Sequence, residues 1–447
     1  MTASSPPPLL AARQARHAPV GDRRCGWIEL APGRPEVRAL AGEVRADACV
    51  VGAGFTGLAI ARRLAELRPA WRVAVLDAQR AGGGASGRSS GFVVDLAHFI
   101  ARMDFAASRR FVALSRFGIG RLRAAVAAGG IACDWDEKGW VHAAAGDAGA
   151  AALPGLAAWL DRLGEPYERL DAEGLAAITG SRFYRAGIRL PGSVLVQAGA
   201  LAAGLAAALP AGVDLSEESP VQRIEPERSG FRIATAAGAV RADRLFLAAN
   251  GYTPEIGFLR RRLFPLYTFG SLTRPLTEVE QEALGGEREW GLLAEDAMGS
   301  TVRRTRDQRI LIRNSARFTR HHERAGTVPP AVLARHRRAF ERRFPALRGV
   351  PFEFSWSGPM GTTPDRTIAF GEIARGLFAA AGYTGAGIAM GTTAGTLLAD
   401  LALGEGSDLL AALLALPRPR RLPPPPFLDW GIRLEVARMN ATAGGAL

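Results

Sequence analysis

The sequence predicts an α/β protein in which one domain, assembled from three separate stretches of chain, carries an inserted antiparallel-sheet domain. Three observations lead there. A short apolar run ends in a GxGxxG turn at Gly52–Gly57, and an acidic residue follows 20 positions later. A second glycine turn before an uncharged helix start lies more than 300 residues downstream. Between them, residues 263–313 alternate polar and apolar in the manner of half-buried strands.

The elements follow in order. Residues 47–52 (DACVVG) read as a buried strand, Leu58–Leu67 as an amphipathic helix and Arg72–Asp77 (RVAVLD) as a second buried strand, one βαβ unit of about 30 residues. From 97 to 189 the pattern is mainly helical and Ala-rich, interrupted by hairpin-like Trp135–His142. Residues 198–209 read as a helix, 220–224 and 230–235 as strands, and 244–248 as a buried strand. A helix is expected at 330–344, strands at 352–357 and 376–381, and a helix reaching about Leu403. The resulting division is 1–45 leader and extension, 46–96, 190–258 and 352–416 nucleotide domain, 97–189 and 259–351 inserted domain, and 417–447 a proline-bearing tail wrapping the surface.

The chain of 447 residues is long enough for two lobes. Its 48% apolar and 22% charged residues are ordinary for a soluble protein. No apolar run reaches the roughly 18–20 residues a bilayer requires, and the Pro- and Arg-rich start lacks a signal-peptide core, so a cytoplasmic location is expected. Cys25, Cys49 and Cys133 form no CxxC pair, and the six histidines show no metal-ligand spacing, His321 and His322 included. No metal is expected. The net charge of +13 invites a nucleic-acid reading. Lys138 is the only lysine, so 55 of the 56 basic residues are arginines scattered along the chain. Only 303–348 is dense, with Arg335, Arg337, Arg338, Arg342 and Arg343 on one solvated helix face; no nucleic acid is expected.

In the first turn Gly52 permits the tight bend, Gly54 lets a pyrophosphate approach the backbone, and Gly57 lets helix and strand pack closely. Phe55 and Thr56 open the helix, whose N-terminal N–H groups and dipole favour phosphate. Asp77, followed by Ala78, accepts from ribose hydroxyls. This motif alone leaves NAD and FAD open. The loop at 82–91 (GGGASGRSSG) offers backbone N–H groups and the side chains of Ser86, Arg88, Ser89 and Ser90, with Gly84, Ala85 and Gly91 between them, which suits an extended cofactor. The late turn Gly382–Gly387, with Gly385, Ala386, Gly387 and Ile388 at the helix start, would aim a helix N-terminus at the flavin N1–C2=O locus, where the reduced ring carries negative charge. Together they favour FAD.

At these residues the chain resembles the D-amino-acid-oxidase-type family of FAD-dependent oxidoreductases, and within it gamma-glutamylputrescine oxidase-like members. The resemblance runs over about 26–405 through DACVVGAGFTGLAIARRLAE, VLDAQRAGGGASGRSSG, LAANGYTP, WSGPMGTTPDRTIAFG and AAGYTGAGIAMGTTAGTLLADLALG. It implies a glutathione-reductase-type, Rossmann-like FAD domain. It implies too that Val221 flanks the adenine, Asn250–Gly251 closes a strand of that domain, and Gly358 and 385–388 lie beside the isoalloxazine. The inserted sheet would roof the flavin, with Tyr267, Arg303 and Trp356 near the substrate. Some relatives attach FAD through a cysteine in the segment matching 358–363, or a histidine near that matching 88–91. Here those segments read GPMGTT and RSSG, so FAD is expected to be non-covalent. Glycine oxidase-like members hold a substrate carboxylate with an arginine where this chain has Pro359 and Met360, which favours an amine over an α-amino acid.

The expected reaction is oxidation of the C–N bond of a small primary or secondary amine, polyamine- or amino-acid-derived, with O2 or another electron acceptor. Tyr267, Tyr383, Tyr252, Arg366 and Trp356 are the candidates for the reacting end, and Asp95 and His98 for a cationic end of the substrate. Lys138 reads as a hairpin residue rather than an oxygen-activating lysine. Two alternatives stay open: a D-amino-acid, hydroxy-acid or glycerol-phosphate-type FAD dehydrogenase, and a non-catalytic FAD-binding subunit.

Overall fold

The computed structural model describes residues 11–19, 25–33, 37–97, 99–295, 299–319 and 328–442. His98 and the His321–His322 pair lie outside them.

The strand Gly42–Val51 is apolar on both faces over Ala48–Val51 because it lies mid-sheet, covered on both sides. It pairs in parallel with Val73–Leu76 on one side and Gly238–Leu247 on the other. Val213–Ser216 extends the parallel set beyond Val73–Leu76, and Leu377–Ala381 joins it alongside Gly238–Leu247. The antiparallel strands Arg223–Glu227 and Gly230–Ala234 continue this nine-stranded sheet to an edge formed by Arg13–Gln14. Residues 13 and 14 are therefore part of the sheet rather than of a loose leader.

Three helices cover one face. Phe55–Leu67, Phe105–Gly129 and Ala389–Leu403 pack on each other so closely that a Cβ on Gly395 would lie 2.3 Å from the Thr56 carbonyl oxygen. Phe105–Gly129, expected in the inserted domain, thus belongs to this layer.

The second sheet has eight strands in the order Phe352–Thr362, Phe264–Thr273, Ile310–Phe318, Thr301–Arg304, Trp290–Ala294, Trp140–Ala144, Ala186–Leu190, Glu168–Asp171. The expected antiparallel sheet is found with one local exception, and one expected strand assignment needs correction. The sheet contains one parallel pair, Trp290–Ala294 with Trp140–Ala144, since those strands come from distant segments with no tight turn between them. Phe352–Thr362 belongs to this sheet, paired along its length with Phe264–Thr273. The tail also departs from expectation: Phe427–Thr442 is a helix lying on Ile310–Phe318, its contact residues Ile432 and Val436 hidden in a segment that also carries Gly431 and a proline run.

Candidate active site

One cavity of about 310 Å³ lies between the parallel-strand ends of the first sheet and the face of the second. The backbone shapes its nucleotide end. Gly52 has φ +109°, and any side chain there would meet the Ala248 carbonyl at 2.8 Å. A Cβ on Gly57 would lie 1.7 Å from the Gly52 carbonyl oxygen, so strand and helix meet only because residue 57 has none. Gly54 faces Ser86, whose Oγ accepts the Phe55 N–H at 3.1 Å and thereby ties the two glycine loops together. Asp77 accepts the N–H groups of Ala53 (2.6 Å) and Gln79 (2.8 Å). A carboxylate has about four acceptor sites, so two such bonds are compatible with ribose contact. Arg88 is spent on structure: it donates to the carbonyls of Gly83 (2.7 Å) and Ser357 (3.2 Å), while Trp356 Nε1 donates to the Arg88 carbonyl.

At the far end, Asn250 (φ +44°) accepts the Gly382 N–H at 3.0 Å and fixes the late glycine turn against the end of Gly238–Leu247. Met390, Gly391 and Thr392 donate back to Ala386, Gly387 and Ile388. Ahead of them stand the N–H groups of Gly387, Ile388 and Ala389, the donors a helix start leaves without intrahelical partners.

Of the expected cofactor residues, Gly52, Gly54, Phe55, Thr56, Asp77, Ala78, Gly84, Ala85, Ser86, Arg88, Ser89, Ser90, Val221, Asn250, Gly251, Gly358, Gly385, Ala386, Gly387 and Ile388 line the cavity. Gly57, Gly91 and Gly382 stand behind its wall: Gly57 in the helix–strand contact, Gly91 against the Val196 carbonyl, Gly382 against Thr363.

The reacting-end candidates divide. Trp356, Tyr252 and Tyr383 line the cavity. Tyr252 is hydrogen-bonded to Tyr267, and burial pushes its hydroxyl up to about 12. Tyr383 is bonded to Thr56 Oγ1 at 2.9 Å, and burial raises its pKa. Tyr267 must be corrected: it is 3% exposed and lies behind Tyr252, because successive side chains of a strand face opposite ways and Thr268 and Gly270 take the cavity side. Arg366 is also outside the wall, its guanidinium 4.8 Å above the Phe99 ring, which itself lines the cavity. Arg303 is buried under Trp27, bonded to the Val196 carbonyl and paired with Glu289. Asp95 is fully buried and held by Ser193 and Arg116, so no substrate cation reaches it.

Sequence reasoning missed two groups. Arg313 lines the substrate end with Leu311, two residues apart on one strand face, opposite Gly270 and Thr301. Its one hydrogen-bond contact among the described residues is a long one, to Thr301 Oγ1 at 3.5 Å, and burial lowers its pKa; no carboxylate pairs with it among the described residues. Its place at the end of the apolar strand run 310–312, two residues after Leu311, could have flagged it. His17, Ala18 and Pro19 line the opposite end beside Val221 and Glu255, held by Ala15 N–H to Gln222 and Arg16 N–H to Glu255 carbonyls; nothing in their composition marks them.

The family model described as FAD dependent oxidoreductase, DAO, matches residues 47–401. The chain is 30% identical to the gamma-glutamylputrescine oxidoreductase of Escherichia coli (strain K12) over 84% of its length and 88% of that protein's. Among solved structures it is similar to glycine oxidase from Geobacillus kaustophilus, with TM-score 0.69, 24% identity and coverage of 81% and 96%. It is also similar to L-proline dehydrogenase from P. horikoshii, with TM-score 0.68, 18% identity and coverage of 83% and 96%. The family binds FAD, and the cavity has what that cofactor needs: two interlocked glycine loops that a Cβ would fill, a ribose-side carboxylate and a helix start with free donors. The chain belongs to the DAO family of FAD-dependent oxidoreductases.

Proposed function

We propose that the protein oxidises the C–N bond of a small amine that also carries a carboxylate, with non-covalent FAD. The observation that carries this is Arg313. Of the charged side chains lining the cavity among the described residues, Asp77 and Glu255 stand at the nucleotide end, and Arg88 is engaged by two carbonyls. Arg313 is what remains at the substrate end, and a guanidinium there recognises a carboxylate in a bidentate way. A purely cationic polyamine would meet an uncompensated like charge. This reverses the weight given to Pro359 and Met360: the carboxylate arginine is supplied from a different strand.

Non-covalent attachment is supported by the lining, which contains no cysteine among the described residues. FAD supplies hydride acceptance at its ring when bound. The chain's own groups do the rest. Gly387, Ile388 and Ala389 present N–H donors toward the cavity where negative charge develops. Trp356 and Leu311 exclude water from one side. Tyr252, kept protonated by burial, donates or accepts one hydrogen bond at the amine without taking its proton. The test is the visible spectrum under anaerobic conditions with amines, amino acids and hydroxy acids. Bleaching by a carboxylate-bearing amine supports the reading; bleaching by hydroxy acids or plain diamines alone defeats it.

A further inference from the structure

The tail helix Phe427–Thr442 has two apolar faces. Ile432 and Val436 cover Leu266, Phe318 and Met360 of the second sheet. On the opposite side Phe427, Trp430 and Leu434 are 63%, 66% and 74% exposed, with the Phe427 and Trp430 rings in edge contact. Ala437 and Ala441 continue that line at the same three-and-four spacing. Exposed aromatics of this size in a row need a partner.

The charges beside the stripe say which. Arg433 and Arg438 border it, and Arg418, Arg420 and Arg421 precede it, all exposed. On the helix Glu435 is paired with Arg438 and Asp429 is half-buried, so the positive charge beside the stripe comes from Arg433 and from Arg418, Arg420 and Arg421, which have no ion pair among the described residues. In a self-paired helix, parallel or antiparallel, the flanking positions 433 and 438 would set arginine against arginine, and two heptads are short for a coiled coil. An anionic bilayer satisfies both features, with Trp, Phe and Leu entering the headgroup boundary and arginines on the lipid phosphates. We propose that this helix docks the enzyme on an anionic membrane surface.

The test is sedimentation of the FAD-loaded protein with phosphatidylcholine vesicles and with equimolar phosphatidylcholine–phosphatidylglycerol vesicles. Binding to the anionic vesicles, weakened by 0.5 M salt and at least tenfold weaker in Phe427→Ser/Trp430→Ser/Leu434→Ser with unchanged FAD absorbance, is expected. Equal sedimentation of wild type and variant, or none with anionic vesicles, overturns the proposal. So does a wild-type dimer by light scattering that the variant converts to monomer without vesicles, since the stripe then covers a second copy.

Discussion

Replacing Arg313 by methionine tests the substrate assignment most directly. Methionine keeps an unbranched apolar stem at the cavity wall while removing the charge. A hydrogen-bonded ion contact of this kind contributes about 1.5–3 kcal/mol, and each 1.4 kcal/mol is about tenfold. A carboxylate-bearing amine should therefore bind about 10–150-fold more weakly. The half-buried position and the single long contact to Thr301 mean that little native structure depends on the guanidinium, so FAD content should hold and the ligand-free melting temperature should stay level or rise, the unpaired charge being gone. Anaerobic titration separates the two quantities: the dissociation constant rises, while the flavin reduction rate at saturation stays within about threefold, because the arginine binds ground and transition states alike. The decarboxylated amine should be unaffected or improved. Unchanged affinity for the carboxylate substrate would refute the assignment.

Other outcomes follow from the same geometry. Gly57→Ala, whose Cβ has 1.7 Å to the Gly52 carbonyl oxygen, should purify without the flavin absorbance near 450 nm. Deleting residues 1–19 removes the wall formed by His17–Pro19 and should speed FAD release, read by the gain of flavin fluorescence on dilution, while amine affinity of the loaded enzyme is retained. Tyr267→Phe should leave substrate affinity intact, since its hydroxyl reaches the cavity only through Tyr252; a large rise in the dissociation constant would put it at the wall. Burial holds the imidazoles of His142 and His336 down at about 4. Their folded pKa lies below the unfolded value of about 6.5, so their stabilisation is complete above that value and is lost as pH falls toward 4, at up to about 1.4 kcal/mol per unit per histidine; urea midpoints at pH 7 and 5 should differ accordingly, and less in His336→Leu.

The nucleotide site was legible because its chemistry is written in spacing. Gly52, Gly54 and Gly57 are required by backbone approach, and Asp77 by strand length, so a local pattern suffices. The substrate end was not legible, because its side chains come from Phe264–Thr273, Thr301–Arg304, Ile310–Phe318 and Phe352–Thr362, strands whose adjacency only the fold creates. Strand phase decided the errors there. Tyr267 and Thr268 are neighbours in sequence and on opposite sides of the sheet, and which side faces the cavity is set by how the sheet sits on the first domain, which parity along the sequence does not tell. Arg303 and Arg313 illustrate the same point: both are arginines on adjacent strands, yet one is sealed under Trp27 and the other opens on the cavity.

That pairing of sealed and open arginine also explains how the site tolerates a cation beside the cofactor. Arg303 is paired with Glu289, and the Arg88 guanidinium is held in place by two carbonyls. Arg313 has neither a carboxylate nor a carbonyl partner among the described residues, only a hydroxyl for company. Leaving a half-buried guanidinium unpaired costs the folded protein stability, and that cost is recovered only when an anion arrives. Binding of a carboxylate should therefore raise the melting temperature of the wild-type holoenzyme and leave that of Arg313→Met unchanged. A simple test uses a carboxylate that cannot be oxidised, such as benzoate, at increasing concentration: stabilisation confined to wild type places the anion on Arg313, and equal stabilisation of both proteins removes it from the site.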